Sequence, residues 1–199
     1  MKKLTFNVKT ITKIAILAAI SIILMLIEIP LPFIAPTFYK LDLSELPVLI
    51  GGFAMGPIAG IAIELVKILV NFIINGTQTG GIGELANFLV GCAFVVPTAI
   101  IYKRKKNLKS AFLALGVGIM SMTIIGSLLN YFVILPFYAY AGMMPMQAII
   151  AAGNAVNKNI NSLASFTLIA VAPFNLIKGV IVTIPTLLLY KRISGLLHK

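Results

Sequence analysis

Acidic residues number five in a chain of 199, and histidine and cysteine occur once each. With Cys92 alone in an apolar stretch, neither a disulfide framework nor a thiolate metal site can be assembled. His198, in the tail, is the single imidazole, and no adjacent pair of acidic residues occurs, so the usual acids and bases of a catalytic site are not seen. A Gly-rich phosphate loop ending in Gly-Lys-Ser/Thr is also absent, which removes ATP hydrolysis from the chain's own repertoire. An enzyme, including an intramembrane one, is not expected.

Apolar surface is what the chain has in abundance. It is 60% hydrophobic and 11% charged, with a mean hydropathy of +1.06, more than a soluble core of this size requires. Residues 1–199 read as one integral membrane domain in a lipid bilayer. Sixteen Lys/Arg would point to nucleic acid in a soluble domain, but here they gather at the ends of apolar segments, where they set orientation. Nucleic acid is not an expected partner.

A span needs roughly 17–25 apolar residues. Apolar runs cut by turn signals predict an all-α, polytopic membrane fold, a six-transmembrane-helix bundle with helices at 11–29, 46–56, 57–75, 84–102, 110–136 and 173–190. The first follows Lys2, Lys3, Lys9 and Lys13 as a signal peptide would, yet it runs to Ile29 without a small-residue cleavage site and reads as retained. Gly56-Pro57 predicts a tight turn into the third helix. Because Pro57 interrupts any continuous helix, turn chemistry rather than small-residue packing is the expected role of Gly52, Gly56 and Gly60. Segment 46–56 would be only about 16 Å long, about half the hydrocarbon thickness. The preceding stretch, 30–42, carries Pro30, Pro32 and Pro36 and is too apolar for a surface loop, so it predicts a first outer loop that dips inward. Non-helical backbone at that depth implies a pocket.

Basic groups lie at the start, at Lys103, Arg104, Lys105, Lys106 and Lys109, and at Lys191, Arg192 and Lys199. With an even number of spans all three groups fall on one face, cytoplasmic by the positive-inside rule, so both termini are expected inside. The proline loop, the 76–83 link and the 137–172 connection then face outward, with Lys40 and Lys158 as their only basic residues. Ser162 to Ala172 could continue the last helix or form a separate segment, and Pro173 at a first-turn position favours the break. The amide-rich 154–161 reads as a solvated linker or a short helix end.

An ionisable group inside an apolar helix costs several kcal/mol unless it faces protein or a hydrated cavity, so the scarce polar side chains are the candidate site. Asn175 and Lys178 share one face, about 3 and 8 Å below the outer end of a helix starting at Pro173. A lysine that only snorkels to the membrane surface is the alternative. Asn130 lies about 8–9 Å below the outer end of the fifth helix. Glu84 and Asn87 occupy the first turn of the fourth, where a carboxylate could address a ligand or simply suit the helix dipole. Glu64, Lys67 and Asn71 share a side of the third helix and suit a structural ion pair with an amide above it. Phe33, Phe38, Tyr39, Phe88, Tyr131 and Phe174 are candidate walls. A few amides among apolar walls suit a flat heteroaromatic ligand, whereas an anion would want more positive charge.

Six stretches, taken in order, carry a resemblance along nearly the whole chain: Pro30-Leu31-Pro32-Phe33, Leu41-Asp42-Leu43-Ser44-Glu45-Leu46-Pro47, Gly56-Pro57-Ile58-Ala59-Gly60, Ala86-Asn87-Phe88-Leu89, Leu129 to Pro136, and Pro173-Phe174-Asn175-Leu176-Ile177-Lys178-Gly179. The chain resembles the substrate-binding (S) components of energy-coupling factor vitamin transporters, most closely the riboflavin-specific ones. That resemblance implies a six-helix protein of the bacterial cell membrane that binds riboflavin from outside, with the isoalloxazine ring inserted and the first loop closing over it. Riboflavin would be the transported ligand, with no cofactor. Asn130, Asn175 and Lys178 match positions that touch the vitamin, and Asn87, Glu84, Tyr39, Leu41, Tyr131 and Phe174 would complete the site. The implied partners are a transmembrane coupling protein and two ATPase subunits, docked through small residues matched here by Ala15 and Ala19. Such i, i+4 pairs let helices approach closely in lipid, although an intramolecular contact would use them equally well. Glu84, in Gly80-Gly81-Ile82-Gly83-Glu84, and the Asn-rich connection depart from the family pattern. Two alternatives are an S component for another vitamin and a solitary carrier driven by an ion gradient, for which Glu64 and Lys67 are the relay candidates.

Overall fold

The computed structural model describes residues 7–77 and 79–197. Lys2, Lys3, His198 and Lys199 lie outside the described residues. In chain order the elements are α1 (Val8–Met25), β1 (Ile29–Pro30), β2 (Lys40–Leu41), α2 (Glu45–Met55), α3 (Pro57–Asn75), α4 (Ile82–Arg104), α5 (Leu108–Leu129), a π segment π1 (Asn130–Ile134), α6 (Leu135–Tyr140), α7 (Met146–Val156), α8 (Leu163–Phe166), a second π segment π2 (Thr167–Val171) and α9 (Ala172–Leu197). Helices Val8–Met25, Pro57–Asn75, Ile82–Arg104, Leu108–Tyr140 and Leu163–Leu189 are long and apolar enough to cross a membrane, while Glu45–Met55 and Met146–Val156 are apolar but short.

The expected first helix, 11–29, is displaced toward the N-terminus. Asn7 caps it by accepting from the Thr10 amide at 2.9 Å, and it ends at Met25 because Pro30 and Pro32 lie too close for another turn. The dipping loop then leaves and returns through a two-residue ribbon in which Ile29 pairs Leu41 and Pro30 pairs Lys40. Ala35 and Pro36 at its tip are buried, and Ala35 belongs to an outer apolar cluster with Leu41, Ile149, Ile160, Phe166, Val171 and Phe174.

Short α2 is the hub. Every residue from Glu45 to Phe53 is buried, as expected of a helix packed on all sides, and α1, α3, α4 and α9 surround it. Gly56 makes the expected turn at φ 97 and Pro57 opens α3. Gly52 and Gly60 act differently from the expectation: a Cβ on either would lie 3.0 Å from Val95 Cγ2, so these two serve close packing of α2, α3 and α4.

The break expected at Pro173 does not occur. The last helix begins at Leu163 and passes through π2 into α9. A proline inside a helix lacks an N–H and clashes with the carbonyl four residues back. Here the Ala172 amide reaches Thr167 O in a widened turn one residue before Pro173, and the Leu135 amide likewise reaches Asn130 O one residue before Pro136. The wider turn absorbs each ring without ending the rod. Asn175 and Lys178 are therefore 12 and 15 residues from the first helical residue, roughly 18 and 22 Å rather than the expected 3 and 8 Å. Asn130 is similarly about 15 Å from Tyr140.

Of the two expectations for the amide-rich stretch, the helix end holds and the solvated linker does not, since α7 runs to Val156 and Asn157 caps it. Asn154, near the end of α7, donates to the carbonyls of Lys158 at 3.2 Å and Ile160 at 3.1 Å, folding a turn that buries Ile160.

Candidate functional site

Both π segments set a side chain beside one cavity. Asn130 opens π1 and Asn175 follows π2 by four residues. Each amide nitrogen donates back along its own helix, Asn130 Nδ2 to Gly126 O at 2.8 Å and Asn175 Nδ2 to Val171 O at 3.0 Å. The oxygens Oδ1 are left as acceptors. Gly126 brings the two together, because its carbonyl holds Asn130 and a Cβ there would lie 3.0 Å from Asn175 Nδ2.

The cavity, about 310 Å³, is lined by these two asparagines together with Asn87, Tyr39, Phe174 and Lys178 among the expected residues. It also takes in Asp42, Glu45, Glu28, Lys40 and Tyr138, which the sequence reading did not assign. Glu84 lines a second cavity of about 540 Å³ instead. Leu41 packs behind the loop in the outer cluster, and Tyr131 turns edge-on to Phe132 at 4.8 Å. Neither is on the cavity wall. Phe33 is exposed, and of the candidate walls Phe38, Tyr39 and Phe174 line the cavity while Phe33 and Phe88 do not.

The loop roofs the cavity with aromatic side chains. Tyr39 packs on Phe38, Phe166 and Phe174 with ring centroids 5.0, 6.2 and 5.5 Å away. Its hydroxyl donates to Asn130 Oδ1 at 2.5 Å. Burial, with Tyr138 nearby, raises the Tyr39 hydroxyl above its ordinary pKa, which keeps the proton that this bond uses.

The foot of the loop is held by buried charge. Lys178 Nζ donates to Asp42 Oδ2 at 2.8 Å, with the lysine 12% exposed, so the side chain is turned into protein and does not snorkel. Asp42 Oδ1 takes the Ser44 amide at 2.8 Å. Lys67 Nζ reaches Glu45 Oε1 at 2.7 Å, Glu64 Oε2 at 2.8 Å and Ser44 Oγ at 3.2 Å. Ser21 on α1 donates to the Ser44 carbonyl. The expected Glu64–Lys67 pair is thus present, with Glu45 as an unanticipated third member. Gly91 makes room for it, since a Cβ would strike the Glu64 carboxylate and lie 3.1 Å from Glu45 Oε1. Asp42 and Glu45 were detectable by rarity alone, as two of the five acidic residues beside an apolar run.

Burial alone would raise the Asp42 pKa, but Lys178 and then Lys67, with hydrogen bonds from Lys178 and Ser44, outweigh it and lower the value from 3.8 to about 2. A depressed folded-state pKa means that this group's stabilisation is complete above about pH 4 and is lost as pH falls toward 2. The expected thermal midpoint therefore drops below about pH 4, and more steeply for wild type than for Asp42→Asn. Parallel curves in a pH series of thermal unfolding would contradict this.

Glu84 does not cap α4 in the simple sense: its Oε2 accepts from the hydroxyls of Thr77 at 3.1 Å and Thr79 at 3.0 Å, organising the loop before the helix. Ala15 and Ala19 are exposed on the outer surface of α1, whereas Ile14 and Ala18 face the core, so the pair is not spent on an intramolecular contact.

The family model for the substrate-specific component of ECF transporters matches residues 9–190. Riboflavin transporter RibU of Staphylococcus aureus is 38% identical over 191 residues, covering 96% of this chain and 93% of that protein. Riboflavin transporter FmnP of Bacillus subtilis is 34% identical over 189 residues, covering 94% and 93%. A solved S component of a bacterial ECF transporter superposes with a TM-score of 0.73 at 36% identity, covering 96% of this chain and 98% of that one. These relatives are transport proteins, and this chain is not an enzyme. The chain belongs to the family of ECF transporter substrate-specific components and is a multi-pass membrane protein.

Proposed function

We propose that this chain binds riboflavin from the outer side of a bacterial plasma membrane and delivers it inward with an ATP-driven energy-coupling module. The observation that carries the reading is the convergence of Asn130, Asn175 and Lys178, from two separate rods, on one cavity roofed by Tyr39 and walled by Phe174. The flavin ring has an imide N–H that an asparagine Oδ1 can accept and carbonyls that Lys178 can address, while the aromatic roof suits a flat ring. Two of those groups are paired with the loop itself, Asn130 with Tyr39 and Lys178 with Asp42. A ligand therefore exchanges hydrogen bonds rather than filling bare valences.

The names of the relatives support riboflavin as the ligand. The exposed Ala15 and Ala19 are the proposed docking surface for a transmembrane coupling protein carrying two ATPase subunits. With α2 counted as a sixth, half-length span, the basic clusters lie on one face and both termini are cytoplasmic.

The test is to purify the protein and titrate it with riboflavin, following quenching of the flavin's own fluorescence. A saturable, stoichiometric quench, or a yellow ligand already bound on purification, is expected. A protein that purifies colourless and leaves riboflavin fluorescence unchanged would overturn the proposal.

A further inference from the structure

The second cavity adjoins the first. Met25, Glu28, Lys40, Gly83 and Asn87 line both. Gly83 forms part of the shared wall, and a Cβ there would lie 3.3 Å from the Tyr138 hydroxyl and 2.7 Å from Thr79 Oγ1. A ligand whose ring fills the first cavity thus has a largely polar space of about 540 Å³ beside it.

The charge of that space is negative. Two carboxylates, Glu28 and Glu84, face a single ammonium, Lys40. Lys40 is already committed, with its Nζ 2.6 Å from Glu28 Oε2. Glu84 is left as the unbalanced charge, held in place by the Thr77 and Thr79 hydroxyls. The rest of the lining is neutral: Asn71, Asn75, Asn87 and Thr79 offer hydrogen-bonding groups, and Met25, Leu26 and Ile68 are apolar. Glu84 also sits in the first turn of α4. A helix N-terminus is ordinarily hospitable to a phosphate, but here a fixed carboxylate already occupies that field and repels a second anion.

We propose that Glu84 makes the outer cavity a filter for charge, admitting a neutral polyol tail and rejecting its phosphate ester. The inference rests on the riboflavin reading above and adds the selection of riboflavin over FMN. A phosphate monoester carries about −1.5 to −2 charges at neutral pH. Repulsion from one carboxylate across a partly hydrated cavity amounts to about a five- to tenfold affinity difference.

The experiment is a fluorescence titration of riboflavin and FMN against wild type, Glu84→Gln and Glu84→Asp in detergent. The readout is the ratio of the two dissociation constants for each protein, whatever each substitution does to riboflavin itself. Glu84→Gln is expected to shift the ratio toward FMN about five- to tenfold, while Glu84→Asp, which keeps the charge, stays close to wild type. Raising the salt concentration on wild type should shift the ratio in the same direction, because screening weakens the repulsion. That measurement decides the matter if Glu84→Gln does not fold. An unchanged ratio in Glu84→Gln, equal shifts in the Gln and Asp variants, or a wild-type ratio insensitive to salt would each overturn the charge filter while leaving riboflavin binding intact. Failure of wild type to bind riboflavin would overturn both readings.

Discussion

Lys67→Met is expected to destabilise the protein by about 3–5 kcal/mol, the cost of leaving a buried charge without its partner. Lys67 stands between Glu45 at 2.7 Å and Glu64 at 2.8 Å, with none of the three side chains more than 2% exposed. Removing the ammonium leaves two carboxylates facing one another where neither water nor lipid can solvate them. The damage would spread to the loop, since Lys67 also holds Ser44, whose amide bonds Asp42 and whose carbonyl takes Ser21. Combining Lys67→Met with Glu45→Leu and Glu64→Leu should restore much of the loss, because an apolar replacement of a whole buried ionic group is often neutral or better. Thermal unfolding followed by circular dichroism in detergent measures both. An unchanged midpoint in the single variant would mean that the triad contributes nothing to the fold.

Lys178→Ala should weaken riboflavin binding by more than about tenfold, corresponding to about 1.5–3 kcal/mol for a hydrogen bond to a charged group. Its ammonium lines the cavity and is bound to Asp42 at 2.8 Å, so the substitution removes a ligand contact and also strands a carboxylate at the foot of the loop. The double variant Asp42→Asn with Lys178→Ala separates the two effects. If the double variant binds as poorly as the single, the loss lies in the ligand contact; if it recovers, the loss came through the loop. Wild-type affinity in a well-folded Lys178→Ala protein would remove the lysine from the site altogether.

Much of this architecture is legible in the sequence because lipid leaves the backbone few options. Spans must be apolar, and irregular backbone must be buried or line a cavity. The apolar runs, the Gly56-Pro57 turn and the proline-bearing dip before α2 follow from that constraint. Scarcity also marked Asn130, Asn175 and Lys178 as residues needing a protein or water-filled environment. The continuity of the last helix through Pro173 was not legible, since a proline in an apolar run reads as a start unless a widened turn has already adjusted the hydrogen-bond ladder.

The sequence by itself determined that this is a bundle of apolar helices with a handful of polar groups too costly to leave in lipid. Only the tertiary structure decided which of those groups meet. Lys178 finds Asp42 across 136 residues, Asn130 finds Tyr39 across 91, and Glu45 joins Lys67 across 22. Helical periodicity specifies the face on which a side chain sits, whereas the pairing of faces depends on how short α2 packs among α1, α3, α4 and α9, a relation between distant segments that no local pattern encodes.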